Sequence, residues 1–530
     1  MTATRWRRWR TGVVALATTA MVATGAAVGV QYAAAATVDT GAWYVMLSRH
    51  SGKAIDLYGG ATHDGAPIVQ WTRNDSAAQQ WQFVDVGSGY YKIRSRHSGK
   101  YLELPNAVDG AQLIQNYDNG STRQHFRLAD SDSGYVRFIS RHSNKALDVW
   151  QWSTSDGGII SQYQDVNGWN QQWQMVRLDS SGGCGSGSFN AEAVQNGSTW
   201  TARNGGSTVY TGSSMLSAMQ AAVNSLSAGR NSKQKVVVRG SGSISAGSRL
   251  SLPSYTVLEV CGTVNVTGSG SGDQAVVYAR GVTDVEVTRL NITGNPLYGI
   301  FIRNGNNITL GQIDIRVTAG LGIRIDNHGD RSQRSRNVRI DNVYVQGTSN
   351  HGVETYGVDG LTVGTVTARN TGYSGLILND TINATVGTVD AQGAGTGTGY
   401  AGFRMANRNG RVGDSYPTNI RVGTVIARGG GRGIFCVSES GGAVIDRIDI
   451  SGTGSNSILL ENCYNVTIAA VSGSVNGSDV RIASRTEFPV SRDITLQNLT
   501  LTNSQINENP CGQNIVIRNI ALNNSTINRC

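Results

Sequence analysis

The sequence predicts an all-β protein with two domains, one built from three short repeats and one from a coil of stacked parallel strands. The first observation is length, because 530 residues are too many for one ordinary core. The second is a serine–arginine–histidine phrase that occurs three times near the N-terminus. The third is a set of short glycine-led strand phrases through the second half, in a chain with 68 glycines and 7 prolines. Repeated phrases of this kind indicate repeat architectures.

The N-terminal residues 1–36 predict a secretory signal peptide. "MTATRWRRWR" carries four arginines, an apolar stretch runs from Val13 to Val30, and "AAAA" follows at 33–36. A charged segment, an apolar segment and small residues at the cleavage site are typical of such peptides. We therefore expect a secreted, extracellular protein with no membrane partner after cleavage. Arg7 and Arg8 leave both the general and the twin-arginine export routes open.

The net charge of the mature chain is mild. The whole sequence has a net charge of +9, and the four arginines of residues 1–36 leave +5 (9 − 4). We therefore expect no nucleic-acid partner. The charge is compatible with an acidic polymer as substrate. We expect a monomer.

Six cysteines fit an oxidised, secreted protein. The sequence does not fix their pairing. We expect Cys436–Cys463, whose members lie one repeat apart, and Cys511–Cys530, which would tie down the C-terminus. Cys184–Cys261 would then be the third pair. No spacing of cysteine or histidine suggests a metal site.

Residues 41–178 predict the first domain. "YVMLSRHSGKAIDLYGG", "YYKIRSRHSGKYLELPN" and "YVRFISRHSNKALDVWQ" each lead to an Asp-Gly turn and then to a variant of Gln-x-Trp. These phased copies resemble the ricin B-type lectins, which are β-trefoil carbohydrate-binding modules. The resemblance implies two sugar sites, formed by Asp56, Trp71 and Asn74 and by Asp148, Tyr163 and Asn167. In the middle copy, Glu103, Asn116 and Phe126 replace the expected aspartate, aromatic and tryptophan, so that site is expected to be weak or inactive. Trp81 and Trp173 are expected in the core.

A Gly/Ser-rich linker is expected at 179–200 and the second domain at 201–530. Met215, Met219, Val223 and Leu226 predict a short helix that starts near Ser213 or Ser214 and ends near Gly229, as a cap on the stack. Strand phrases such as "GIFIR", "GIRID", "GVETY", "GLILN" and "GFRMA" alternate with Asn-led phrases. This pattern resembles the pectin lyase-like right-handed parallel β-helix. A β-propeller is the alternative.

Strand side chains alternate between the two faces of a sheet. The first and third residues after each glycine are mostly apolar and are expected to point inward, so the second and fourth point outward. The expected register places Arg324, Glu354 and Arg404 in one outward column and Asp326, Tyr356 and Asn379 in the next. Asp326 and Glu354 would then lie roughly 8 Å apart. The second domain's two histidines, His328 and His351, lie at the edges of this patch.

Paired carboxylates beside cations suit acid–base chemistry at a glycosidic bond. The catalytic candidates are Asp326, Glu354, His351 and Tyr356. The substrate-binding candidates in this domain are Arg324, Arg404, Asn379 and His328. A cross-strand ion pair between Arg324 and Glu354 is the purely structural alternative. "NHG" resembles the histidine-glycine motif of polygalacturonases, although their paired-aspartate motifs are missing.

Three functions follow from these candidates. The first is a secreted glycosidase that acts on a polysaccharide, with Asp326 and Glu354 as acid and base and no cofactor. The second is a polysaccharide lyase acting on a uronate polymer, with Arg404, His351 or Tyr356 as base and arginines, or Ca²⁺ held by Asp326 and Glu354, neutralising the uronate. The third is a carbohydrate-binding protein without catalysis.

Overall fold

The structure is a computed structural model that describes residues 38, 40, 42–74, 76–131, 135–178, 184–395, 397 and 399–530. The expected signal peptide, 1–36, lies outside these residues. Among the described residues, no helix has both the length and the apolar character needed to cross a membrane.

The first domain is a β-trefoil-like unit whose strands form one largely antiparallel sheet. Its strands are β1 (Trp43–Ser48), β2 (Ala54–Leu57), β3 (Ile68–Trp71), β4 (Trp81–Asp85), β5 (Tyr91–Ser95), β6 (Tyr101–Glu103), β7 (Ile114–Asn116), β8 (Phe126–Asp130), β9 (Val136–Ser140), β10 (Ala146–Val149), β11 (Gly158–Tyr163) and β12 (Trp173–Leu178). Its core contains Trp81, Phe126 and Trp173, all fully buried as expected.

The three repeats are joined by a ring of ion pairs that explains two features they share. The lysine of each serine–arginine–histidine phrase contacts the aspartate of another repeat's Asp-Gly turn. The pairs are Lys53–Asp156 at 2.7 Å, Lys100–Asp64 at 2.5 Å and Lys145–Asp109 at 2.5 Å. Each pair is partly exposed, so it contributes modestly to stability. Its repetition explains why the phrase and the turn recur together.

The second domain is a β-solenoid of about 13 turns. Two long sheets, each built mainly from parallel strands, form its walls. The first sheet contains β13 (Ala191–Asn196), β14 (Thr199–Asn204), β15 (Ser207–Gly212), β16 (Gln234–Arg239), β17 (Gly242–Ser245), β19 (Thr256–Thr267), β21 (Thr283–Gly294), β23 (Asn306–Val317), β25 (Ser335–Gln346), β27 (Val358–Arg369), β29 (Ile382–Gln392), β31 (Ile420–Arg428), β33 (Ser440–Ser451), β35 (Cys463–Asn476), β37 (Arg492–Thr502) and β39 (Gln513–Asn523).

The second sheet consists of shorter strands, and we call it the short-strand sheet. It contains β18 (Leu250–Ser251), β20 (Ala275–Arg280), β22 (Tyr298–Arg303), β24 (Leu321–Asp326), β26 (Val353–Tyr356), β28 (Leu376–Asn379), β30 (Phe403–Ala406), β32 (Ile434–Cys436), β34 (Ile458–Glu461), β36 (Val480–Ala483), β38 (Gln505–Glu508) and β40 (Thr526–Asn528). The parallel coil is therefore confirmed.

The cap at the N-terminal end of the solenoid differs in two details from the prediction. Strand β13 lies within 179–200, which was expected to be linker, because it pairs in parallel with β16 and so belongs to the solenoid. Helix α1 (Met215–Asn224) begins after Ser214, whose side chain accepts a hydrogen bond from the Ser217 N–H. It ends at Asn224, well before Gly229, while Leu226 is still buried beyond its end.

The three disulfides are those expected. Cys184–Cys261, Cys436–Cys463 and Cys511–Cys530 have Cα separations of 5.3, 6.2 and 5.5 Å. Within the described residues, the one cluster of potential metal ligands comprises Cys184, Cys261 and Glu259. Both cysteines are consumed by a disulfide, and Glu259 pairs with Lys235 at 2.5 Å. This cluster therefore does not suit a metal ion.

The first domain lies against the first sheet of the solenoid, which we call the long-strand sheet. Gln174 Nε2 donates a hydrogen bond to Thr365 Oγ1 at 2.9 Å, and residues of both domains line a cavity of about 310 Å³. This contact is on a different sheet from the short strands, which carry the candidate catalytic residues.

Candidate functional site

The first predicted sugar site pairs a shielded carboxylate with an exposed ring. Trp71 lies opposite Ala54 on the neighbouring strand, two residues from Asp56, and is 36% exposed. Asp56 accepts a hydrogen bond from Gln79 Nε2 at 2.9 Å. Burial raises the pKa of Asp56. The Asn74 side chain instead accepts a hydrogen bond from the Ser76 N–H.

The other predicted sugar site likewise has an exposed aromatic ring and a buried carboxylate. Tyr163 is 39% exposed, and Asp148 is buried. Burial raises the pKa of Asp148 to about 6, against hydrogen bonds from Gln171 and Asn170. Asn170 Nδ2 lies 2.8 Å from the Asp148 carboxylate, whereas the Asn167 side chain accepts a hydrogen bond from Gln172. The side-chain amides that contact the Asp148 carboxylate are therefore those of Asn170 and Gln171, while Asn167 stays a predicted sugar-binding residue.

The middle repeat keeps its carboxylate but moves its aromatic residue. Glu103 accepts hydrogen bonds from Gln124 and Asn119, both at 2.8 Å. Asn116 lies opposite Tyr101, at the register position that Trp71 occupies in the first repeat. The neighbouring Tyr117 is 57% exposed.

On the solenoid, the register of the short-strand sheet forms the two expected columns. Arg324 pairs with Glu354, Glu354 with Ile377 and Ile377 with Arg404. In the adjacent column, Asp326 pairs with Tyr356 and Tyr356 with Asn379. The inward positions are buried as predicted, and Thr355 shares a hydrogen bond with Thr381 at 2.9 Å. The outward positions, however, are largely covered by neighbouring side chains, since Glu354 is 8% and Ile377 2% exposed.

Asp326 is held by two arginines. Its Oδ1 accepts from Arg303 Nε at 2.8 Å, and its Oδ2 accepts from Arg303 Nη2 and Arg324 Nε, each at 2.9 Å. Although burial opposes ionisation, the hydrogen bonds and charges of Arg303 and Arg324 hold the pKa of Asp326 below its usual value. The residue is fully buried. It therefore fixes the position of Arg324.

Glu354 has a different environment from Asp326. Its Oε1 accepts from Asn379 Nδ2 at 3.0 Å, and its Oε2 lies 3.2 Å from Arg324 Nη1. Burial raises the pKa of Glu354, while the positive charges of Arg324 and Arg404 oppose the shift. A buried carboxyl group with a raised pKa beside cations is typical of groups that act as a general acid or base.

His351 is neutral and its tautomer is fixed. Its Nδ1 accepts a hydrogen bond from the Ser374 N–H at 3.1 Å, so the proton lies on Nε2. Burial, together with the charges of Arg404 and Arg324, lowers the pKa of His351 to about 3. Its ring contacts Tyr373 and Tyr400, whose own rings stack at 3.9 Å. His351 therefore suits hydrogen-bond donation from Nε2, whereas the lone pair that a base needs is already engaged.

The opposite edge of the patch is formed by the loop after β24. Arg331 and Arg334 reach Asp380 at 2.9 and 3.0 Å, across two rungs of the coil. His328 lies in this loop and is exposed. Tyr356 is half-buried, and Asn379 Oδ1 accepts from Asn407 at 2.8 Å. Asn379 is therefore oriented so that its amide nitrogen faces Glu354.

Ca²⁺ does not fit between Asp326 and Glu354. Three arginine N–H groups already occupy both oxygens of Asp326, and Glu354 faces Arg324. Calcium requires several oxygen ligands that are free to turn toward it. The calcium-dependent version of the lyase hypothesis therefore has no ligand set at this position.

The sequence analysis missed two contributors to the patch. Arg303 stands next to Asp326 across the sheet, and Tyr373 stacks on Tyr400. A signal for the tyrosines was present, because each precedes the glycine of its rung, Gly375 or Gly402, by two residues. The signal for Arg303 was its place as the fourth residue after Gly299, which points outward in the column of Asp326.

Comparison with known families concerns the N-terminal region. Residues 31–116 and 77–163 match the family described as ricin-type beta-trefoil lectin domain-like. The N-terminal domain is a ricin B-type lectin domain. A search of curated proteins found no match to this chain.

Several solved structures are similar to part of the chain. The designed three-fold symmetric protein ThreeFoil is 46% identical, and the match covers 26% of this chain and 99% of that one, with a TM-score of 0.25. An exo-beta-1,3-galactanase from Clostridium thermocellum is 42% identical over 27% of this chain and 31% of its own length, with a TM-score of 0.26. The Macrolepiota procera ricin B-like lectin in complex with lactose is 23% identical over 27% and 99%, with a TM-score of 0.24.

A ricin B-type lectin domain joined to a β-solenoid fits a carbohydrate-active protein. The three disulfides are compatible with an extracellular protein.

Proposed function

We propose that this protein is a secreted enzyme that cleaves glycosidic bonds in a polysaccharide, with Glu354 as the group that transfers the proton. The observation that carries the proposal is the environment of Glu354. Its carboxyl group lies between Arg324 and Arg404 in one outward column, is oriented by Asn379, and has a raised pKa. Perturbed carboxyl groups of this kind concentrate at catalytic sites.

Two cleavage chemistries are available, and the contacts of Asp326 favour one of them. Hydrolysis by a carboxylate pair needs two carboxyl groups that face the bond. Asp326 is fully buried and both its oxygens are engaged, so it does not serve as the second group. Elimination from a uronate needs one proton acceptor and cations that neutralise the sugar's carboxylate. Glu354 and the arginines beside it meet these needs.

In the elimination, ionised Glu354 takes the proton from the carbon next to the sugar's carboxylate. The bond to the leaving oxygen breaks, a carbon–carbon double bond forms, and the leaving oxygen takes up a proton from water. Arg324, which contacts Glu354, stabilises the charge that develops on the carboxylate, and Arg404 adds its positive charge from two rungs along the same column. His351 Nε2–H is a further donor at the edge of the site. Hydrolysis stays the second candidate, because Glu354 also suits the role of general acid.

The products distinguish the candidates. The full chain is incubated with pectic, arabinogalactan and glucan polymers, and absorbance near 235 nm is recorded beside reducing ends. We expect both signals to rise on a uronate polymer, because elimination produces an unsaturated uronate together with a new reducing end. Reducing ends without absorbance would support hydrolysis. If no polymer of the panel gives either signal, the enzymatic proposal fails and a binding protein is favoured.

The lectin domain is proposed to hold the enzyme on its substrate. Asp56→Ala combined with Asp148→Ala removes the two carboxylates that accept hydrogen bonds from sugar hydroxyls. Because a hydrogen bond to a charged group contributes about 1.5–3 kcal/mol, retention on insoluble polysaccharide should fall at least tenfold. Turnover of soluble substrate should stay unchanged. The measurement is a pull-down on insoluble polysaccharide beside a soluble assay.

Asp85→Ala is the matched control. Asp85 is exposed at the end of β4, and in the described structure its side chain accepts a local hydrogen bond from the Gly87 N–H. If the double variant is retained as well as the wild type on every polymer that the wild type binds, the assignment of the two sugar sites is wrong.

A further inference from the structure

The outer face of the short-strand sheet carries buried arginine nitrogens that have no acceptor. Arg432 is 7% exposed, and its Nε and Nη1 donate to no group in the part of the chain that the structure describes. The Nε of Arg404 is buried and unpartnered in the same way. A charged donor that is buried without an acceptor costs free energy, so natural proteins rarely keep one without a role.

The two guanidinium groups meet at one ring. The Cζ atoms of Arg432 and Arg404 lie 4.7 and 5.3 Å from the centre of the Phe435 ring. Phe435 belongs to an apolar cluster that forms the floor here, made of Ile377, Ala401, Ala406, Phe435, Val437, Leu459 and Ala483. Because such a floor has a low local dielectric, it strengthens the attraction of these cations for an anion.

The charged residues around Arg432 give this part of the sheet surface a net positive charge. Arg481 lies in the same outward column as Arg404 and Phe435, two rungs beyond Phe435. The charges of Arg404 and Arg481 act on Arg432 with the same sign as its own, and Glu461 is the carboxylate that opposes them. Glu461 is already engaged, since its Oε1 lies 2.9 Å from Arg485 Nε. The described part of the chain therefore does not supply a carboxylate that pairs directly with Arg432.

We propose that Arg432, Arg404 and Arg481 form a subsite that binds an anionic group, a carboxylate or a sulfate, on a sugar of the polysaccharide. The subsite rests on the proposed function, and it specifies a substrate that is charged beyond the sugar at Glu354. Arg404 lies two rungs from Glu354, about 10 Å along the coil at the usual strand spacing. A planar guanidinium suits these anions because it donates two parallel hydrogen bonds.

The test measures binding with two matched pairs of probes. Polygalacturonate is compared with its methyl ester, and dextran sulfate with dextran, by isothermal titration. The host is the full chain with Glu354→Gln, so that the probe is not consumed. We expect the host to prefer at least one charged probe over its neutral counterpart. The preferred pair then distinguishes a carboxylate from a sulfate. Equal binding of charged and neutral probes in both pairs would overturn the subsite.

Arg432→Gln in this host should weaken binding of the preferred charged probe about tenfold and leave the neutral probe unchanged. The melting temperature should stay level or rise, because the variant removes an unpartnered buried charge. Arg421→Gln is the control, since Arg421 is exposed on the other sheet. Unchanged binding of the charged probe by Arg432→Gln would contradict the proposal.

Arg481→Gln provides a second variant if Arg432→Gln does not fold, because Arg481 is exposed and contributes little to the core. Arg481→Gln should weaken binding of the charged probe several-fold. Unchanged binding by Arg481→Gln would remove Arg481 from the subsite, and equal binding of charged and neutral probes by the host would still overturn the rest.

This test separates the subsite from the proposed function. If the wild type cleaves a polymer but the host binds charged and neutral probes equally, the proposed enzymatic function stands and the proposed subsite is wrong. If binding shows a charge preference that depends on Arg432 but the wild type cleaves no polymer, the proposed subsite stands and the proposed enzymatic function is wrong.

Discussion

Glu354→Gln is expected to lower turnover of the cleaved polysaccharide by about 10²–10⁴-fold, the usual contribution of a group that transfers a proton. The amide keeps the shape of the side chain but cannot exchange a proton at neutral pH. Because Glu354 points away from the solenoid core, the fold should persist. The measurements are turnover on the identified substrate, circular dichroism and melting temperature.

Glu286→Gln is the matched control for this variant. Glu286 lies on the long-strand sheet and forms a partly exposed pair with Lys233 at 2.9 Å. It should keep full activity. If Glu354→Gln is folded and retains turnover close to that of the wild type, Glu354 is an ion-pair partner of Arg324 and the catalytic role falls.

Asp326→Asn is expected to destabilise the solenoid by about 3–5 kcal/mol, because it removes the buried charge that Arg303 and the partly buried Arg324 share. Arg303 and Arg324 together donate three hydrogen bonds to this carboxylate. Urea unfolding of the full chain, followed by a probe of the solenoid, measures the change. Asp341→Asn is the control, since the Arg339–Asp341 pair at 2.5 Å is exposed and should contribute at most about 1 kcal/mol.

The pH dependence of stability gives the same residue a second readout. The pKa of Asp326 is lower in the folded protein than in the unfolded chain. Its stabilisation is therefore complete above the usual aspartate value of about 4 and is lost as the pH falls through the folded pKa. The wild type should lose stability more steeply than Asp326→Asn in this acidic range. Parallel curves for the two proteins would contradict the buried ion-pair role.

The sequence by itself determined the architecture of this protein. The threefold phrases specified the lectin domain, since each carries a lysine and an Asp-Gly turn that must meet another repeat. The glycine-led phrases specified the solenoid and its register. Strand alternation alone places Val353 inward and Glu354 outward, and it does not depend on residues far away in the sequence. Of the disulfides, Cys436–Cys463 was indicated because its members lie one repeat apart, and the structure confirmed it together with the other two expected pairs.

Tertiary structure decided what the candidate residues can do. Asp326 and Glu354 look alike in sequence, yet Arg303 from the preceding rung engages one, while Asn379 from the following rung orients the other. His351 looked like a base, but the backbone N–H of Ser374 occupies its Nδ1. These roles depend on hydrogen bonds between residues more than 20 positions apart, and on the burial that shifts their pKa values. The alternation of side chains along a single strand predicts neither these hydrogen bonds nor this burial.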